Sequence, residues 1–230
     1  MRACSQIGRT PSPKPLDKRI GREEFDYQTL LDVLKDYERP RDKISDLLRK
    51  GMIVRVKKRL YVLGDDYRSR ALSRHLLANL VYGPSYVSLD SALQHYGLIP
   101  EHVEAVTSVS VGRSRVFDTP VGRFIYRQIP PGAYPTGVSR VEEPDGNAFL
   151  MAVPEKALSD KVYDSRNIDA ATPGRMLRFL LDDLRVDESG LARLKPVLLQ
   201  EIADAYRSGK LKVLTQAISA MHRQEKGERA

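Results

Sequence analysis

The 230-residue chain has one cysteine, no long apolar run and no apolar leader. Cys4 alone cannot form a disulfide within the chain or a multi-cysteine metal site, so we expect a reducing, cytoplasmic location. The longest apolar runs, such as residues 148–153, are far shorter than the ~18 residues that a membrane span needs. The first ten residues contain no apolar stretch typical of a secretory signal. We therefore expect no contact with a membrane.

Motifs of common enzymes are also missing. The glycines at 112, 122 and 132 are isolated, so no Gly-rich phosphate loop is expected. Ser85 and Ser88 are candidate nucleophiles, but neither lies in a Gly-x-Ser-x-Gly turn or has an evident base, and Ser88 suits a helix N-cap. The four histidines include no pair at i, i+4. We expect no metal, no cofactor and no enzymatic activity.

The positive charge is concentrated in one short segment. The chain has 38 Lys+Arg against 30 Asp+Glu, for a formal charge of +8. Residues 39–64 hold nine basic side chains and two acidic ones, whereas the other 204 residues sum to only +1. Such concentration favours a phosphate backbone as partner, because each neutralised phosphate releases counterions.

The order of elements around this basic segment predicts a winged helix-turn-helix over residues 20–66. Residues 1–19 are Pro-rich and basic, which is typical of a flexible arm. Apolar spacing predicts a helix that begins at Phe25 and ends before Pro40, and a second helix over 40–50 that stops at Gly51. Two short strands, 52–56 and 60–63, then flank a basic turn.

The predicted DNA-binding residues lie on the exposed side of the second helix and at the hairpin tip. A helix anchored by apolar residues can present its opposite face to the major groove, and cations at a hairpin tip can reach nearby phosphates. The alternative is that these side chains only solvate a helix and a turn. The candidates are Arg41, Lys43, Ser45, Arg49, Lys50, Lys57, Lys58 and Arg59.

The rest of the chain, 67–230, predicts a mixed domain, so the fold class is α+β. Helices are expected over 68–82 and 88–97. Between about 103 and 127 the apolar period changes to two, which predicts a small antiparallel sheet, and 148–153 is a further strand that leads into a helix at Pro154. Residues 171–230 are predicted to be helical, over 173–184, 188–206 and 211–224.

Four arginines in the predicted sheet form a second candidate face. Arg113 and Arg115 share parity, as do Arg123 and Arg127, so each pair projects from one side of a strand. Four guanidiniums on neighbouring strands would hold a nucleic-acid backbone or form part of an antitoxin face. The alternative is a solvated face with arginines paired to Asp118 or Glu104.

A metal-dependent nuclease is the competing enzymatic hypothesis, with Asp145 and Glu155 as metal ligands and the winged helix docking the substrate. The pattern is unfavourable, because adjacent residues such as Glu155 and Lys156 point to opposite faces of a strand. Glu155, directly after Pro154, suits the first turn of a helix instead.

Spaced sequence blocks between about residues 25 and 163 resemble the AbiEi-type antitoxins. The blocks that carry the resemblance are 82–93 (YGPSYVSLDSAL), 96–101 (YGLIPE), 107–109 (TSV), 117–120 (FDTP), 122–126 (GRFIY) and 152–160 (AVPEKALSD). The last 60 residues match only in being helical.

The resemblance implies an N-terminal winged helix joined to an antitoxin domain, within a type IV toxin–antitoxin operon that can abort phage infection. Such a protein represses its operon by binding promoter inverted repeats as a monomer or weak dimer. It counters a nucleotidyltransferase-like toxin without a stable complex. Family DNA contacts fall on 40–50 and 57–59 here. A module that binds the toxin directly is the remaining alternative.

Overall fold

The computed structural model describes residues 20–228, which divide into two compact units between Leu72 and Ser73. The boundary predicted from the sequence lies six residues earlier, after residue 66. The predicted N-terminal arm, 1–19, lies outside the described residues.

The first unit consists of two helices and a three-stranded antiparallel sheet. Its elements are β1 (Glu24–Asp26), α1 (Tyr27–Val33), α2 (Pro40–Arg49), β2 (Ile53–Lys57) and β3 (Leu60–Leu63). The strand order is β1-β3-β2, so the first strand pairs with the last. The second predicted helix and the hairpin are present at the expected positions.

The predicted helix start at Phe25 is wrong, because Phe25 lies in β1. The helix begins two residues later, where the Asp26 carboxylate accepts a hydrogen bond of 2.8 Å from the Thr29 amide. An Asp in this position satisfies one of the unpaired amides of the first turn and thereby fixes where the helix starts.

Apolar side chains from every element of this unit meet in one core. β3 is the central strand, and all four of its residues are buried. Leu30 from α1 and Leu47 from α2 pack with it in the same cluster. The helices are therefore held by burial of one side, which leaves their other side in solvent.

The second unit contains three α-helices and six strands up to residue 164 and a helical segment after it. They are α3 (Arg74–Val81), β4 (Ser85–Val87), α4 (Leu89–His95), β5 (Val106–Ser110), β6 (Arg115–Thr119), β7 (Gly122–Gln128), β8 (Val138–Glu142), β9 (Ala148–Ala152), α5 (Pro154–Asp164), α6 (Pro173–Arg178), α7 (Glu188–Ala192), α8 (Pro196–Tyr206) and α9 (Gly209–Glu228). The molecule is a mixed α+β protein.

The predicted small antiparallel sheet is a six-stranded mixed sheet of order β6-β7-β5-β4-β9-β8. β5 and β7 run parallel, as do β4 and β9, whereas the other three neighbouring pairs are antiparallel. Alternation predicts that a segment is a strand, but it carries no information about the partner. β4 has only three residues and pairs with β9 about 60 residues away, so no local pattern reveals it.

Helices cover both faces of this sheet. On one face the Tyr126 hydroxyl donates to the Ala78 carbonyl of α3 over 2.6 Å. On the other face the Tyr86 hydroxyl donates to Asp160 of α5. The central strands are therefore buried on both sides, which explains why β5 is buried along its whole length.

The C-terminal helices differ from those predicted, and the last one, expected over 211–224, is longer, Gly209–Glu228. The expected helix over 188–206 is two helices, interrupted before Pro196, which cannot continue a helix from the preceding turn. The expected helix over 173–184 ends in one π-helical turn, Phe179–Asp183. Within residues 20–228, no helix combines the length and apolar content required to cross a membrane.

His75 of α3 is expected to make the second unit sensitive to acid. Its pKa is lowered to about 4, first by burial, then by the charges of His95 and Arg74. The unfolded chain therefore binds more protons between about 4 and the ordinary value of 6.5, so stability falls as pH drops through this window, by up to about 3 kcal/mol. In urea denaturation from pH 4 to 7, His75→Phe should flatten the pH dependence.

His102→Gln is the control for this prediction. His102 is exposed and only shares a 3.2 Å contact with Gln94, so its loss should leave the pH dependence unchanged. Equal slopes for wild type and His75→Phe would contradict the prediction.

Candidate nucleic-acid interface

α2 separates a buried side from a basic, exposed side. Ile44 and Leu47 are buried, while Arg41, Ser45 and Arg49 are exposed. Pro40 occupies the first helical turn, where its missing amide costs nothing, and Gly51 adopts the left-handed φ of 66° that ends the helix. The sequence therefore positions the predicted side chains on one exposed helix face.

Three of the predicted cations converge on one carboxylate, Asp46, in the middle of this face. The nearest oxygens of Asp46 lie 2.7 Å from the Arg49 guanidinium, 2.9 Å from Lys50 Nζ and 3.6 Å from Lys43 Nζ. Hydrogen bonds from Lys50 and Arg49 lower the pKa of Asp46 to about 2. The Lys43 ammonium also lies 5.5 Å from the centre of the Tyr37 ring.

The hairpin tip presents the other predicted cations. Lys58 and Arg59 are exposed in the two-residue connection between β2 and β3, next to the half-buried Lys57. No ion pair among residues 20–228 involves Arg41, Lys58 or Arg59. Their charges are therefore available to an external anion.

Arg59 adopts a backbone conformation that disfavours its side chain. Its φ is 70°, in the left-handed region that suits glycine, and its carbonyl accepts a hydrogen bond of 3.1 Å from the Tyr27 amide. Strained residues of this kind are concentrated at functional sites, so the conformation of Arg59 favours a functional role for the hairpin tip.

Arg59→Gly is expected to stabilise the hairpin while weakening DNA binding. Relief of the left-handed strain should raise the free energy of local opening by about 0.5–1 kcal/mol, measured by hydrogen exchange of the β2 and β3 amides. Loss of the cation should lower DNA affinity. The control, Arg59→Ala, loses the same charge and keeps the strain, so it should weaken binding without protecting the amides. Equal protection in both variants would contradict this account.

Arg55 is a further exposed cation of the first unit that the sequence did not predict. It is exposed on β2, opposite Tyr61 of β3. Alternation does not predict this exposure, because Arg55 has the same parity as the buried Ile53 and the register of β2 shifts directly after Arg55.

The four arginines of the second candidate face do not form one cluster. β6 and β7 pair so that Arg115 lies opposite Tyr126, which places Arg115 on the α3 side of the sheet. Arg123 and Arg127 have the opposite parity in β7 and project from the other side. Arg113 lies before β6, outside the strand. The single four-guanidinium face is therefore wrong.

Three of these arginines also contact other side chains, so less of their positive charge is available to a ligand. Arg123 lies 3.4 Å from Asp118 and Arg127 lies 3.2 Å from Asp164. The Arg115 guanidinium lies 5.7 Å from the centre of the Tyr82 ring. The predicted pairing to Asp118 is thus present, whereas the Glu104 carbonyl accepts a hydrogen bond from Arg74 instead.

The nuclease residues are not brought together. Asp145 precedes β9 and Glu155 follows it, and a strand of five residues spans roughly 17 Å. Glu155 is buried in the first turn of α5, where its carboxylate accepts a 3.0 Å hydrogen bond from the Lys195 amide. Within residues 20–228 no group of three or more His, Cys, Asp or Glu side chains is arranged to hold a metal ion.

No protein-family model and no curated protein matches this chain.

A buried polar cluster that was not predicted lies in the second unit. The Asp160 carboxylate of α5 accepts hydrogen bonds from Ser88 Oγ at 2.6 Å, Tyr206 Oη at 2.5 Å and Tyr86 Oη at 3.2 Å. It also lies 3.1 Å from Lys156 Nζ. All five residues are buried, so Asp160 joins β4, α5 and α8 inside the core.

Lys156 is enclosed on every side. Its ammonium donates to the Ala133 carbonyl over 2.8 Å and lies 4.2 Å from the centre of the Tyr206 ring. Burial lowers the pKa of Lys156, and the nearby Asp160 carboxylate opposes this effect. Gly137, with a φ of 75°, leaves room beside it, since a Cβ there would lie 2.8 Å from Lys156 Cβ. The i, i+4 spacing of Lys156 and Asp160 was the only sequence signal of this pair.

Both candidate serine nucleophiles are buried. Ser88 occupies the N-cap position of α4, but its hydroxyl donates to Asp160 and accepts no hydrogen bond from a helix amide, which corrects the predicted capping bond. Ser85 is buried in β4. Neither hydroxyl is placed for attack on a substrate.

Proposed function

We propose that the chain is a DNA-binding transcriptional autorepressor and the antitoxin of a type IV toxin–antitoxin operon. The observation that carries the DNA-binding part is the basic surface formed by the exposed side of α2 and the tip of the β2–β3 hairpin. A helix that reads the major groove beside a hairpin that contacts phosphates is one of the arrangements by which proteins bind duplex DNA.

The topology of the first unit supports a winged helix-turn-helix. A strand, two helices and a hairpin follow in that order, and β1 pairs with β3 beside the hairpin. In this arrangement α2 is the recognition helix and the β2–β3 hairpin is the wing.

The charge distribution supports different functions for the two units. Residues 39–64 have nine basic and two acidic side chains, whereas residues 73–228 have 19 of each. Among the described residues, the excess of positive charge is therefore concentrated in residues 39–64. A neutral second unit is compatible with an antitoxin role that does not depend on DNA.

Fluorescence anisotropy with labelled duplexes tests the DNA-binding function. One duplex is selected by the full chain from a random library, and the other has the same base composition in scrambled order. We expect tighter binding to the selected duplex and a linear fall of log affinity with log salt concentration. Arg41→Ala should change the selected sequence. Absence of binding to either duplex would overturn the function.

The antitoxin part of the proposal is supported by the resemblance of the blocks between residues 82 and 160. We expect a neighbouring gene for a nucleotidyltransferase-like toxin whose growth inhibition this chain relieves when both are expressed. Relief should occur without co-elution of the two proteins. Stable co-elution would favour direct toxin binding instead.

A further inference from the structure

α2 has two acidic residues, Asp42 in its first turn and Asp46 in its middle, and three cations surround Asp46. Lys43, Arg49 and Lys50 all lie within 3.6 Å of its carboxylate. The Asp46 side chain is 23% exposed, whereas the side chains of Lys43, Arg49 and Lys50 are 32%, 78% and 55% exposed. The cations therefore lie around a recessed anion.

A DNA phosphate would compete with Asp46 for the same cations. Non-specific binding depends almost wholly on phosphate contacts, so a carboxylate that already neutralises these side chains opposes it directly. Sequence-specific binding also draws on base contacts from side chains that are held in a defined geometry. Three contacts to one carboxylate supply that order before DNA arrives.

We propose that Asp46 is a specificity-determining residue of α2, which suppresses binding to non-cognate DNA and pre-orders Lys43, Arg49 and Lys50 for the cognate sequence. This inference rests on the proposed DNA-binding function. In this role the carboxylate repels DNA phosphates, and such repulsion increases the discrimination between cognate and non-cognate DNA.

Asp46→Asn is the decisive variant, because it removes the charge and keeps the shape. At about 0.1 M salt we expect affinity for the scrambled duplex to rise on the order of tenfold, with a salt slope steeper by about one, as for one additional phosphate contact. The gain on the selected duplex should be smaller, about threefold, since the pre-ordering is lost. The ratio of the two affinities should therefore fall.

Asp42→Asn is the matched control on the same helix. The Asp42 carboxylate is 74% exposed and lies 4.0 Å from Arg39, so the same change of charge should alter either affinity by about twofold or less. Asp46→Glu, which keeps the charge, should restore the wild-type ratio. Circular dichroism establishes that each variant is folded at the assay temperature.

Three results would overturn the inference. Equal effects of Asp46→Asn and Asp42→Asn would show that only net charge matters. Weaker binding to the selected duplex, with no change on the scrambled one, would mean that Asp46 contacts a base. A wild-type ratio in Asp46→Asn would show that the carboxylate has no role in discrimination. Failure of the wild type to bind either duplex would instead overturn the proposed function.

Discussion

Replacing Asp160 with alanine is expected to lower the free energy of unfolding of the 73–228 unit by about 3–5 kcal/mol. The change removes the acceptor of three buried hydroxyl groups and leaves the Lys156 ammonium without its counter-charge in the core. A buried cation without a partner costs far more than the ion pair contributes, because its hydration is lost and not replaced. Urea denaturation followed by circular dichroism measures the effect.

Two further variants make the result specific to the buried pair. Asp164→Ala removes an exposed carboxylate from the end of the same helix, which pairs with Arg127 at 3.2 Å, and should cost less than about 1 kcal/mol. Lys156→Met combined with Asp160→Leu removes both charges and should recover the part of the loss that comes from the unpaired ammonium, although the three hydroxyl groups still lack their acceptor. If Asp160→Ala and Asp164→Ala destabilise the unit equally, the central role of Asp160 is wrong.

Replacing Lys57, Lys58 and Arg59 together with alanine is expected to weaken DNA binding about 10²–10³-fold at about 0.1 M salt. If each side chain neutralises one phosphate, the slope of log affinity against log salt should flatten by about 0.9 per lost contact. The loss should be similar on selected and scrambled duplexes, since phosphate contacts carry no sequence information. Anisotropy titrations at several salt concentrations measure both quantities.

A second triple variant separates position from net charge. Arg178, Lys212 and Arg223 are exposed cations of the second unit, and changing all three to alanine removes the same charge as the hairpin variant. Binding of this variant should stay within a few-fold of wild type. An unchanged salt slope in the hairpin variant would count against contact between the wing and DNA.

Local signals explain which parts of the first unit could be predicted from the sequence. Pro40 and Gly51 bound α2 by their own backbone preferences, and the basic turn at 58–59 separates two apolar segments. β1 has three residues and pairs with β3, 34–38 positions later, so its pairing has no local signature. The apolar spacing that begins at Phe25 predicts a helix there, but Phe25 packs into the same core from strand β1.

Side-chain clusters that depend on register or on distant segments could not be predicted. Parity along β7 correctly places Arg123 and Arg127 on one side, but only the pairing with β6 decides that Arg115 lies on the other. The i, i+4 spacing of Lys156 and Asp160 suggests an ion pair without revealing its burial. Burial follows from Tyr86 and Tyr206, which lie 74 and 46 positions from Asp160.

The position of Tyr206 predicts how the protein responds to truncating mutations. Its hydroxyl completes the hydrogen bonding of Asp160, and its ring covers the Lys156 ammonium, so the last helices supply part of the core. A nonsense codon anywhere before position 206 would remove that hydroxyl along with α9, although α2 and the wing would be translated intact. Late truncating alleles should therefore abolish any activity of the second unit, and the gene is expected to behave as intolerant of stop codons over nearly its whole length.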